Sequence, residues 1–505
     1  MESRAVKTHA CFADPALSTA SPAIPLTPAV RFGRVRLEVL AREDCRAIHE
    51  AAMEVLERVG VRVLDERALK LLADAGCEVN QRSSVVRIPE HLVMDMVRKA
   101  PRSFTLYGRG SKLVIEEGRT HFSSQGTAVF VIDPLTGERR PSTLSDVERF
   151  YRLTDALENV HHATLVVHPS DVPEHAAHAY SLLAAFRNTV KTVDAYARSG
   201  REALDCIRMA AIVAGGLEEL RRRPMLLFFY NPVSPLQHSR ELLEGLEVFA
   251  EHRQPIIVAP ECQAGATAPA TLAGLLVQQN AEILSAITIA ELVNPGTPVL
   301  YGTVSTIMDM RTGNIALGAV EAGLINAATA QLARFYGLPS RGTGGTTDSK
   351  LPDLQAGFEK AVTLVFAALS GINFVYDSAG SLDSTLAASL EQLVIDDELC
   401  GIAARAARGI EVNEETLALN VIEEVGPGGT FLSKLHTVRN VRREHYVPKL
   451  LSRVRWERWR KSKSLVEEAR LRAEELLKHH EVEPLDKEIE RQLEDYVKRV
   501  LNRQR

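Results

Sequence analysis

Between Pro339 and Lys360 the chain places Gly342, Gly344 and Gly345 directly before Thr346, Thr347, Asp348 and Lys350. Glycines there let the backbone take positive φ and let a ligand or a neighbouring chain come close. The polar residues add donors, an acceptor and both signs of charge, and Pro352 with Asp353 then opens a helix. The loop has the make-up of a binding loop, although an ordinary strand-to-helix turn capped by Asp348 explains the same residues. A phosphate loop is not expected, because its Gly-Lys-Ser/Thr ending is absent.

Rings form a second set. Tyr196, Phe228, Phe229, Tyr230, Tyr301 and Tyr376 recur at the ends of strand-like segments, although aromatic residues make up only 5% of the chain. Aromatic faces beside acceptors bind quaternary ammonium groups, whose cation cannot donate a hydrogen bond; packing in the core is the other explanation. His175 and His178 have the i, i+3 spacing of metal ligands, but no carboxylate or cysteine stands at a recognised offset. Lys191 and Lys350 fall near strands, where a lysine could form a Schiff base with a carbonyl substrate. No Gly-x-Ser-x-Gly elbow is present.

The elements that would position these groups alternate regularly. Strand-like segments are read at 121–126 (with 128–133 as an extension), 163–167, 190–196, 225–230, 256–259, 298–304, 340–345 and 372–377, with helix-like stretches between them. The fold class is therefore α/β, and eight repeats predict a (β/α)8 TIM barrel over 118–408. An open doubly wound sheet is the competitor, and it lacks its dinucleotide fingerprint. In a barrel the residues just after each strand form one list of pocket candidates: Gln125, His168, Tyr196, Tyr230, Asn231, Glu261, Gly265, Tyr301 to Asp309, Thr346 to Lys350 and Asp377 to Asp383.

Residues 1–35 read as a disordered tail, 36–117 as a small α/β subdomain and 409–505 as a helical extension. Between Arg439 and Lys463 stand ten Lys/Arg against two Glu, inside a chain of 505 residues with net charge -5. That stretch is either a docking face for an acidic partner or a phosphate-bearing ligand, or a solvated helix face. The overall balance argues against a nucleic-acid or membrane-surface partner. The apolar run at 273–293 is interrupted by Gln278, Gln279, Asn280, Glu282 and Glu291, so no membrane span is expected. Six widely spaced cysteines read as reduced thiols of a cytoplasmic protein.

Several motifs in order resemble the trimethylamine:corrinoid methyltransferase family, from about Leu37 to the end. They include Tyr336-Gly337-Leu338-Pro339, Gly344 to Lys350, Gln355 to Lys360, Ala264 to Pro269, Asn294 to Pro298, Ser381 to Ser384 and Gly426 to Thr437. The resemblance implies a barrel that passes a methyl group from a methylated amine to the Co(I) corrinoid of a separate carrier protein. No cofactor is then bound tightly by this chain, and the methylcorrinoid (cobalamin) belongs to the partner. Family members acting on trimethylamine carry pyrrolysine near Gly344 to Thr347, where this chain has ordinary residues. That departure points to quaternary amines such as glycine betaine.

On this reading Phe229, Tyr230, Tyr301 and Tyr376 would cage the cation, with Asp348 and Asp383 as the nearest acids. Asn231, His238, Arg311 or Lys350 would hold a substrate carboxylate, and Gly345, Thr346 and Thr347 of the loop would also bind the substrate; no metal ligands are assigned. The alternatives are a lyase or aldolase using Lys350 or Lys191, and a binding barrel without turnover. A homo-oligomer is compatible with the sequence.

Overall fold

Eight parallel strands close on themselves in the computed structural model, which describes residues 30–31, 35–133 and 136–503. They are β1 (Arg119–Ser124), β2 (His162–Ala163), β3 (Thr192–Ala195), β4 (Leu226–Tyr230), β5 (Ile256–Val258), β6 (Val299–Gly302), β7 (Ser340–Thr343) and β8 (Phe374–Ala379). β8 closes the ring on β1 through Phe374↔His121 and Val375↔Phe122. The connecting helices are α1 (Leu144–Ala156), α2 (Ala177–Asn188), α3 (Gly200–Ala214), α4 (Arg240–Glu251), α5 (Leu272–Val293), α6 (Val320–Tyr336), α7 (Leu354–Ser370) and α8 (Leu390–Arg408). The expected (β/α)8 barrel is the observed fold.

Local signals set the helix ends. Thr143, Ser199, Asp353 and Ser389 each accept a backbone N–H in the first turn of α1, α3, α7 and α8. The cap of α7 is thus Asp353, which leaves Asp348 free for another role. Glycines in the left-handed region, Gly337 and Gly371, stop α6 and α7.

Strand register decides which side chains enter the barrel. Tyr230, Val258, Tyr301 and Ser340 pair in one row. That row faces the helices, where Tyr230, Val258 and Tyr301 join the outer core. The adjacent positions Leu227, Phe229, Ile257, Leu300, Phe374 and Tyr376 fill the interior, as the two-residue strand period requires.

The segment 128–133, expected to extend the first strand, instead forms Phe130–Ile132 in a separate small sheet with Arg139–Pro141, Ser381–Leu382 and Ala387–Ala388. A hairpin, Thr306–Asp309 with Asn314–Ala316, stands after β6. Both lie on the carboxyl side of the strands.

Residues 36–117 contain helices and short strands, and the sheet among them takes in Gln237–His238 from the loop after β4. Its buried side chains also belong to the same apolar cluster as the barrel's outer layer. The expected tail falls largely outside the described residues. Val30–Arg31 pairs antiparallel with Arg119 and Thr120, which corrects the tail's boundary at 35. α5 is long and apolar enough by composition to cross a membrane, yet 72% of its apolar window is buried inside the protein. Its polar residues are bonded there, Gln279 to Thr329 and Asn280 to Tyr336.

Candidate active site

A cavity of about 500 Å³ opens at the carboxyl ends of the strands. At its floor lies Arg341 of β7, fully buried. Its guanidinium stands 5.1 Å from the Phe229 ring centre and 4.8 Å from that of Tyr376. It donates to the Thr303 carbonyl, to Thr343 Oγ1 at 2.6 Å and to Asp377 Oδ2 at 3.3 Å, while its Nε has no partner among the described residues. A buried guanidinium with an unused donor is an anion-binding group held ready.

Three acids share the cavity. Tyr376 donates its hydroxyl to Asp194 Oδ2 at 2.5 Å, which fixes the ring, and Leu165 N–H donates to the other oxygen. Burial raises Asp194 to about 6. Asp377, at φ 61, accepts from Gly126 N–H and Arg341, and burial raises its carboxyl too. Glu261 lines the cavity and makes no hydrogen bond among the described residues; burial and then the Asp377 charge push it up. Tyr196 and Arg198 stand on one side of the cavity, Arg198 tied to Glu174 and Glu202.

Replacing Asp194 by Asn should therefore stabilise the fold above pH 7. The folded state holds the Asp194 proton more tightly than the unfolded state does, so its contribution favours folding below pH 4 and fades as pH rises through about 6. Asp194→Asn should gain up to about 3 kcal/mol at pH 8 and nothing at pH 4, read from urea midpoints at both pH values.

The glycine-rich loop stands one layer behind the cavity. Thr347 O and Ser349 O accept from Ser384 N–H and Asp383 N–H at 2.9 and 2.7 Å, and Ser384 Oγ donates to Asp348 Oδ1 at 2.7 Å. Asp383, Ser384 and Thr385 all have positive φ. Three such residues in a row persist only where surrounding bonds hold them, and such strain clusters at ligand sites. Ser384, Thr385 and Leu386 are the part of this segment that lines the cavity. Gly345 has φ +85, and an added Cβ would fall 2.5 Å from Ser378 O. Gly345→Ala should cost at least about 2 kcal/mol, seen as a lower denaturation midpoint.

Of the residues expected to bind substrate, Phe229, Asn231 and Tyr376 line the cavity. Tyr230 and Tyr301 do not, because their register row faces outward. The Tyr230 hydroxyl is 2.7 Å from His238 Nδ1, and Tyr301 donates to Asn280 at 2.8 Å. His238 is buried beside them, and burial lowers it to about 4, so it is a neutral structural group.

Arg311 stands at the turn of the hairpin after β6, 88% exposed and paired with Asp309. Lys350 is 71% exposed and donates to Asp348 O. Asp383 pairs with Arg139 and Lys350, outside the cavity. Thr346 and Thr347 are buried, bonded to Leu317 O and Glu359. Lys191 donates to the carbonyls of Thr154, Leu157 and Val160 at 2.6–2.7 Å. Neither Schiff-base candidate lines the cavity. His178 bonds Asp205 at 3.2 Å, and no group of three metal-binding side chains occurs among the described residues.

Arg341 and Asp194 were not singled out in the sequence. Each is a charged residue inside a segment that reads as a strand buried on both faces, and that contrast was the available signal.

The family model for trimethylamine methyltransferase (MTTB) matches residues 13–503. The chain belongs to the trimethylamine methyltransferase family. It is 38% identical over 416 residues to the glycine betaine methyltransferase of Desulfitobacterium hafniense (strain Y51), covering 82% of this chain and 87% of that one. It is 36% identical over 466 residues to the trimethylamine methyltransferase MttB of Methanosarcina barkeri, covering 90% and 93%. Among solved structures, the Methanosarcina barkeri monomethylamine methyltransferase (MtmB) is similar at 13% identity and TM-score 0.47, covering 88% of this chain and 96% of that one. As a member of the family, the protein is a methyltransferase that takes its methyl group from an amine. The cavity holding Arg341, Asp377 and Glu261 opens at the carboxyl ends of this methyltransferase's barrel strands.

Proposed function

We propose that this protein demethylates a small betaine, a quaternary amine that also carries a carboxylate, with glycine betaine as the type, and delivers the methyl group to the corrinoid of a carrier protein. The observation that carries this reading is the pairing of a buried arginine with an unbonded carboxylate, Arg341 and Glu261, in one cavity. A fixed cation beside a free anion is complementary to a zwitterion. A plain methylated amine has nothing to offer Arg341.

Arg341 would take the substrate carboxylate through its free Nε and neighbouring donors. Because Phe229 and Tyr376 are already stacked on Arg341, the cage expected from four rings is not available in that form. The trimethylammonium instead meets Glu261, which supplies charge without hydrogen bonding, since the Tyr196 ring on the same cavity wall already carries Arg198 5.6 Å from its centre. Asp348 and Asp383 act through the loop: they hold Ser384 to Leu386 in place rather than touch the cation.

When bound, the Co(I) corrinoid supplies the nucleophile that accepts the methyl group. The N–CH3 bond breaks with its electron pair left on nitrogen, so the departing amine is neutral and needs no proton. The residues' task is to fix the ammonium with one methyl group towards the cavity opening. Val304, Ile315, Leu317 and Leu386 make part of the cavity wall apolar, and among the described residues no histidine or cysteine lines it to compete for cobalt. Such a lining suits a macrocycle presented by another protein.

Calorimetric titration tests the substrate class. Glycine betaine should bind at least about tenfold more tightly than choline or trimethylamine, the effect of one buried charge-assisted contact. Equal binding of all three, or none, would remove the role given to Arg341.

A further inference from the structure

A buried ion pair stands behind the glycine-rich loop. Lys360 of α7 and Asp396 of α8 are fully buried, with Nζ and Oδ2 2.9 Å apart. Lysine is rarely buried so completely. Leu364 and Ala367 of α7 and Cys400 and Ala403 of α8 join one apolar cluster beside the pair, so these two helices pack by ordinary apolar contact. Replacing a buried ion pair with apolar residues of similar volume is often neutral or stabilising. Helix packing therefore does not call for charges here.

The pair holds two pieces of backbone instead. Lys360 Nζ donates to Gly345 O at 2.6 Å. Asp396 Oδ2 accepts from Gly380 N–H at 2.8 Å, and Oδ1 accepts from Gln392 Nε2 at 2.8 Å. Gly345 lies just beyond β7 and Gly380 just beyond β8, so the pair clasps together the ends of the two strands that carry Arg341 and Asp377. Gly380 also leads into the hairpin in which Ser381–Leu382 pairs with Ala387–Ala388. The turn of that hairpin supplies Ser384, Thr385 and Leu386 to the cavity wall.

We infer that Lys360 and Asp396 are positioning residues for the substrate: their clasp sets the spacing between the Arg341–Asp377 pair and the 384–386 turn. Neither lines the cavity, so both act through the backbone they hold. The Lys360 charge also reaches the site. Burial raises the Asp377 carboxyl, and Arg341, the Gly126 N–H and Lys360 oppose that rise, so Lys360 helps keep the partner of Arg341 ionised. The inference rests on the substrate site proposed above.

Hydrogen exchange read by mass spectrometry and calorimetric titration with glycine betaine, both on the full chain, test the clasp. Lys360→Met combined with Asp396→Leu removes both charges together and leaves no lone buried ion. Amides in 345–349 and 380–386 should then exchange at least about tenfold faster, with exchange in β4 to β6 unchanged. Glycine betaine should bind about ten- to hundredfold more weakly, the effect of a small misplacement of the groups that hold it. Asp396→Asn keeps the shape and should give the same two changes in smaller measure, so the test survives if the double variant does not fold. Wild-type exchange in both segments, or wild-type affinity beside faster exchange, would overturn the inference, and a lower unfolding midpoint with neither change would show a pair that serves the fold alone. If the wild type itself does not bind glycine betaine, the substrate reading falls, and exchange in the two segments decides the clasp by itself.

Discussion

Replacing Arg341 by methionine should abolish productive use of a betaine while sparing ligands that lack a carboxylate. Arg341 is fully buried between Phe229 and Tyr376 and bonded to Asp377, so its charge is neither screened nor free to move. Removing one member of a buried charge pair costs about 2–5 kcal/mol, between roughly thirtyfold and a few thousandfold in affinity for glycine betaine. Choline, which has the same trimethylammonium and no carboxylate, should bind Arg341→Met as well as wild type or better. Arg341→Lys should recover only part of the loss, since an ammonium cannot reproduce the planar fork. The substitution also leaves Asp377 without its cation, so thermal unfolding of the variant must be checked beside binding. Equal losses for betaine and choline would show that Arg341 holds the fold and not the carboxylate.

The second large effect is expected at Glu261. Its carboxylate has no partner among the described residues and lines the cavity, so its charge is available to a cation. An ammonium about 5 Å away at an effective dielectric near 20 gains about 3 kcal/mol. Glu261→Gln keeps the shape, removes the charge and should weaken betaine binding about ten- to hundredfold. Affinity should also depend on pH in one direction. Burial and Asp377 raise the Glu261 carboxyl, so cation binding is complete above its raised pKa and is lost as pH falls through it. In Glu261→Gln that acid limb should flatten. An unchanged limb would assign the titration to Asp194 or Asp377 instead.

Much of the fold was legible because parallel barrel strands are short, apolar and separated by helices of ordinary length, so the alternation survives in the sequence. What the alternation cannot give is the face on which each strand residue falls. Phe229 and Tyr230 are consecutive, and only one of them can point inward. The register of Tyr230 with Val258 and of Val258 with Tyr301 puts both tyrosines among the helices, and a cage drawn from ring type alone therefore mixed the two faces.

The loop from Gly342 to Lys350 was legible as unusual, but its role was not. Its polar groups bond to the 383–384 backbone and to Glu359. Glu261 and Asp377 were legible as strand-end residues. Arg341 was hidden because a strand interior is where a charge is least expected, and its partners Thr303, just after β6, and Asp377 of β8 stand up to 38 positions away in sequence.

The most direct measurement is dimethylglycine formation from glycine betaine by the purified enzyme with reduced Co(I) cobalamin, followed by proton NMR against trimethylamine and choline as competing substrates. The account predicts dimethylglycine, formed only when Co(I) is present, with no dimethylamine from trimethylamine and with loss of the product in Arg341→Met. Release of dimethylamine from trimethylamine at a comparable rate, with glycine betaine left intact, would contradict it.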